Sequence, residues 1–198
     1  MELTQEIKRR NRVLFLGEDV SQESVQEIIK SIYEFNMEDE QNESLFVEYE
    51  RPAIHLILNT YGGSVYDGLG LVGAIDLSRT AVAVTCIGSA MSMGLLVLAS
   101  GHVRRMHAYS TAMYHQISSI SFDKLEGMKK DLIETERLEK LYDLILMKKT
   151  KLQEADLLKH KQSKSEWYIT PKEALKFGII DEILGEIPKI SKTRVKKS

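Results

Sequence analysis

A serine flanked by small residues, in the run AMSMG at residues 90–94, is the first place where this sequence could do chemistry. The apolar, β-branched stretch at 81–87 reads as a strand and the stretch from Ser92 to Ala99 as a helix. Ser92 therefore falls at a strand-to-helix turn, the backbone situation of a nucleophile elbow with Ala90 in place of the first glycine. Such a turn lifts the hydroxyl clear of the sheet. It also sets the N–H of Met93 at a helix N-terminus, where donor and dipole together stabilise a developing oxyanion. The same serine could equally do no more than cap the helix. A second feature is NTYGGS at 59–64, a diglycine between a buried strand and a helix. There the missing Cβ atoms of Gly62 and Gly63 let backbone approach a ligand, although Gly-Gly before a helix is also an ordinary tight turn. Taken together, the two turns follow successive strands and fall at one edge of a parallel sheet, where α/β proteins place their sites.

A nucleophilic serine needs a base, and the histidines are His55, His102, His107, His115 and His160. His55 lies mid-strand and reads as core; His160, in KHK, reads as solvent-facing. His115 ends a short apolar strand, AMYHQ, at a sequence distance from Ser92 that forces no local contact yet permits convergence across strand ends. A satisfied structural histidine is the alternative. No His, Cys and carboxylate cluster shows metal-ligand spacing, so neither a metal nor a small cofactor is implied.

The elements that would position these residues alternate strand and helix, which implies an α/β domain with the strands inside. Strands are expected at 12–17, 54–58, 81–87, 103–107, 112–114 and 179–184, and helices after Ser21, over 65–77, 92–99, 171–177 and, longest, 122–149. On the long helix Leu125, Met128, Leu132, Leu138, Leu141, Leu144 and Ile145 recur at helical spacing among many charges, so part of it should project and pack on something else. Residues 38–50 carry six acids and no base, which suits a solvated loop. From Thr80 to Ser100 there is no charge, but a buried strand turning into a buried helix accounts for that run better than a membrane span does. A chain of 198 residues, 43% hydrophobic, suits one domain over 1–185, followed by a basic, disordered tail at 186–198. The net charge of −2 advertises neither nucleic acid nor an anionic membrane, so peptide is the expected polymer. A single cysteine, Cys86, and a charged N-terminus without an apolar signal region fit the cytoplasm.

In order, the blocks RVLFLGEDV (12–20), LNTYGGSVYDG (58–68), CIGSAMSMG (86–94), YHQ (114–116) and WYITPKEALKFGIID (167–181) resemble the Clp protease proteolytic subunit family. The resemblance implies a ClpP/crotonase-like spiral of ββα units, a serine peptidase, and rings of seven subunits that can stack face to face, with an AAA+ unfoldase as partner. It also implies roles: Ser92 nucleophile, His115 base, the N–H groups of Gly63 and Met93 as oxyanion hole, and Glu166 in the place of the family's catalytic aspartate, with Asp181 the next acid to consider. Substrate would lie extended beside Gly62, Ile117, Ser118 and Ser119. Several positions depart from the family pattern. Only eleven residues precede Arg12, where the family builds pore loops; Ile117 replaces a proline; ISSIS replaces a glycine-rich strand; Lys164-Ser165 replaces an Asp-Arg pair that links opposed rings; and residues 38–50 look like an insertion. These departures weigh on the unfoldase partnership and the double ring more than on the chemistry. Two other readings are a non-catalytic ring subunit and a crotonase-like enzyme acting on acyl thioesters.

Overall fold

A computed structural model of the chain describes residues 11–117, 124–163 and 165–186. The proposed substrate residues Ser118 and Ser119, Lys164, and the basic tail beyond Glu186 lie outside the described residues. Five strands form the body of a parallel sheet in the order β1 (Val13–Leu16), β2 (Ile54–Thr60), β3 (Val82–Met91), β4 (Val103–His107), β7 (Glu182–Leu184). The fold is therefore α/β. β3 is the hub, and it changes partner along its length. Its first half pairs with β4 through Ala83 to Cys86, and its second half pairs with β5 (Thr111–Tyr114) through Ser89 to Met91. The change follows a shift in register against β2 between Leu58 and Thr60. There the Asn59 side chain accepts from the N–H of Ser89 at 2.9 Å, and an added Cβ on Gly88 would come within 2.4 Å of its oxygen. β6 (Trp167–Ile169) closes the second branch by pairing antiparallel with β5.

Helices cover the sheet. α1 (Gln22–Leu45) begins with Ser21 capping in a reciprocal box with Ser24, and Val25, Ile28, Ile32 and Phe35 supply its buried stripe. α2 (Val65–Leu77) and α3 (Met93–Ser100) follow β2 and β3, α3 being apolar on every side and buried throughout. α4 (Leu125–Lys149), α5 (Glu154–Gln162) and α6 (Pro171–Lys176) complete the described chain. The charge-free run at 80–100 is β3 and α3, and among the described residues no helix is long and apolar enough to cross a membrane.

Two expectations fail for definable reasons. Of the acidic run at 38–50 only residues 46–50 form a loop: α1 continues to Leu45, because Asp39 is fully buried on its inner face. Asp39 meets the Arg12 guanidinium through two hydrogen bonds of 2.7 and 2.8 Å, and also the hydroxyls of Thr80 and Tyr49. His55 is not core. β2 alternates, with Ile54, Leu56 and Leu58 inward, so the imidazole faces out.

Candidate active site

Ser92 is the only non-glycine residue with positive φ among the described residues, at φ 51° and ψ −122°. It occupies the N-cap position of α3 but makes no side-chain capping bond, which removes the capping role. The turn is held open by its surroundings. Gly62, at φ 100°, lies so close that an added Cβ would stand 2.6 Å from the Ser92 Cβ and 3.1 Å from the Met93 nitrogen. Gly63, at φ 146°, is pressed against Val20, and that contact is clamped from both sides. Val20 N–H donates to the Gly62 carbonyl at 2.8 Å, and Ser64 N–H donates to the Val20 carbonyl at 2.7 Å. The two sequence-predicted turns therefore do meet at one sheet edge. The N–H of Met93 opens α3, where it has no intrahelical acceptor.

Strand registers bring His115 and Glu166 to the same edge. Ser89, Ala90 and Met91 face Thr111, Ala112 and Met113, and Ser92 N–H donates to the Met113 carbonyl at 2.9 Å, so His115 emerges one residue past the strand beside the elbow. In the antiparallel pair Ala112, Met113 and Tyr114 face Ile169, Tyr168 and Trp167. One further step sets His115 opposite Glu166. Both line a cavity of about 270 Å³ with Gln116, His160 and Ser165. Among the described residues no hydrogen bond joins His115 to Ser92 or to Glu166, and the Glu166 carboxylate accepts instead from the Tyr168 hydroxyl, which raises the phenol's pKa. Ile117 is half-buried just beyond.

His160, expected in solvent, lines the cavity and stacks flat on Trp167, with ring centroids 4.4 Å apart. Burial, then the charge of Lys159, lower its pKa. Asp181 is no reserve acid for His115: it binds the backbone N–H and the guanidinium of Arg104 across β4, and that hydrogen bonding holds its carboxyl below the usual range. Beneath the site lies a network that sequence reasoning passed over. The Tyr114 hydroxyl donates to Asp143 at 2.8 Å, Lys161 of α5 pairs with Asp143 and Glu139, and the Tyr142 hydroxyl donates to the Ser92 carbonyl at 2.9 Å. Burial first, and the Asp143 carboxylate second, push the Tyr114 hydroxyl's pKa upward. The signal for Tyr142 was present in the sequence, since it continues the four-residue spacing from Leu138 to Leu146, all three buried.

The family model described as Clp protease matches residues 3–186. The chain is 28% identical over 183 residues to ATP-dependent Clp protease proteolytic subunit 1 of Prochlorococcus marinus subsp. pastoris, an alignment covering 90% of this chain and 86% of that protein. It is 29% identical over 192 residues to ATP-dependent Clp protease proteolytic subunit 2 of Synechococcus sp. (strain CC9605), covering 90% and 86% respectively.

Proposed function

Since the chain belongs to the Clp protease family, we propose that it is a serine endopeptidase acting on short or unfolded polypeptides within a ring of its own copies. His115 takes the Ser92 proton, the Ser92 oxygen attacks the substrate carbonyl, and the N–H groups of Gly63 and Met93 receive the developing oxyanion. His115 then returns the proton to the leaving amine, and water releases the acyl group by the same route. Glu166 orients the imidazole, a role its position opposite His115 supports. The observation that carries this reading is the Ser92 turn: a serine held at φ 51°, a conformation costly for an L-residue, with its hydroxyl not used for capping. A cytoplasmic location fits a chain whose single cysteine, Cys86, is buried and unpaired, with its thiol pushed up to about 11 by burial. The relatives' names carry ATP dependence, and an ATP-driven unfoldase partner for this chain rests on the family resemblance alone.

Hydrolysis of a short fluorogenic peptide tests the proposal. The wild-type chain should cleave it, and Ser92→Ala should lose that cleavage while keeping its melting temperature, because a hydroxyl at a turn adds little to the core. Cleavage by Ser92→Ala at the wild-type rate rejects the mechanism. One observation favours the non-catalytic ring subunit instead, namely that Glu166 is engaged by Tyr168 rather than by His115. Absence of cleavage by the wild-type chain under all conditions of assembly would select that reading. Acyl-thioester chemistry needs no serine nucleophile, so the Ser92 turn gives that reading no support.

A further inference from the structure

Tyr142 is buried in α4 and commits its hydroxyl to a backbone atom of the elbow, donating to the Ser92 carbonyl at 2.9 Å. The same carbonyl accepts from Leu95 N–H at 3.0 Å. The Ser92 carbonyl and the Met93 N–H are opposite ends of one planar peptide unit. Whatever fixes the direction of the first fixes the direction of the second. This peptide follows a residue at φ 51° and ψ −122°, outside the basins open to L-residues, so rotating the peptide is the easiest way for the turn to relax. The tyrosine is itself held in place. Its ring lies 6.0 Å from that of Tyr114, whose hydroxyl is bound by Asp143, which in turn pairs with Lys161 on α5.

We propose that Tyr142 is a positioning residue for the oxyanion site, its hydroxyl holding the 92–93 peptide so that the Met93 N–H faces the reacting carbonyl. A donor on the carbonyl oxygen also polarises the amide and strengthens its N–H as a donor in turn. The inference rests on the reading of Ser92 as nucleophile and of Met93 N–H as an oxyanion donor. It assigns to α4 a part in the chemistry that neither the elbow motif nor the histidine reveals.

Tyr142→Phe keeps the ring and removes only the hydroxyl. Loss of one such hydrogen bond predicts a kcat about tenfold lower on a short fluorogenic peptide, with KM unchanged because the oxyanion exists only in the transition state. A peptide boronic acid, whose boron takes the Ser92 oxygen as a fourth ligand and mimics the tetrahedral species, should lose affinity by the same factor. Titration of active sites with a fluorophosphonate corrects the rates for folded enzyme, and a thermal melt reports the fold. A kcat per titrated site within about twofold of wild type, with boronate affinity unchanged, overturns the inference, and so does a fall in melting temperature unaccompanied by any change in kcat per site. Ser92→Ala, run alongside, separates the two levels: if it cleaves the peptide like the wild type, the underlying mechanism fails and this inference with it. If it is inactive while Tyr142→Phe is fully active, the inference alone fails.

Discussion

At residue scale the elbow depends on what is missing around it. Gly62 has no side chain because Ser92 occupies the space one would need, and its φ of 100° bars an L-residue in any case. Gly62→Ala should displace the serine by a substantial fraction of an ångström and lower kcat/KM on a short peptide about a hundredfold. Rates within a few fold of wild type would show that the turn is not tuned to Ser92. The carboxylate poses a different question. Glu166 stands opposite His115 and one of its oxygens accepts from the Tyr168 hydroxyl, so the proposed catalytic contact falls to the other oxygen or shares the first. Glu166→Gln should cut kcat at least about tenfold, whereas Tyr168→Phe, which frees the carboxylate, should keep full activity. Activity retained in Glu166→Gln would transfer the orienting role to water or to another group.

At the scale of elements, what holds the acidic end of α1 is a buried ion pair that no local pattern announces. Desolvation alone would raise the Asp39 pKa, but hydrogen bonds from Arg12, Thr80 and Tyr49 outweigh it and the net shift is downward. A carboxyl whose folded pKa lies below its unfolded value of about 3.9 adds stability that is complete above that value and disappears as the pH falls through the folded pKa. Asp39→Asn leaves Arg12 buried without its counter-charge, so denaturant titration at neutral pH should show a loss of about 3 kcal/mol. The difference from wild type should shrink in acid. An equal loss at every pH would remove the ion pair from the account. Periodicity and turn residues gave α2 and β4 to the residue, because their cues are local. The acidic run at 38–50 reads as a loop throughout because the partner that holds Asp39 in the helix is 27 positions away. β6 has no local cue either, since it is three residues long and exists through its pairing with β5. For the site, Ser92, His115 and the diglycine stood out by type and spacing. The spacing of Tyr142 marks it as buried but not as part of the site, because its hydroxyl acts on backbone 50 residues distant.

For the whole molecule, α4 divides into two halves. Its second half buries Leu138, Tyr142 and Leu146, whereas Met128, Leu132 and Ile133 in the first half are exposed, as is Leu144 further along. A family member with such a helix has a way to cover those side chains, namely another copy of itself. Light scattering on the purified chain should therefore give a multiple of the 22.6 kDa subunit, with seven the expected number, and Leu132→Glu with Ile133→Glu should shift it toward smaller species. A strict monomer at micromolar concentration that cleaves peptides at full rate contradicts the assembly proposal. The central claim, that this chain acts through an activated serine at the β3–α3 turn, is tested most directly by a fluorophosphonate probe followed by mass spectrometry of the digested protein. The account predicts one adduct per chain, on the peptide bearing Ser92, lost in Ser92→Ala and strongly slowed in His115→Ala. Absence of an adduct on the wild-type assembly, or an adduct that persists in Ser92→Ala, would contradict it.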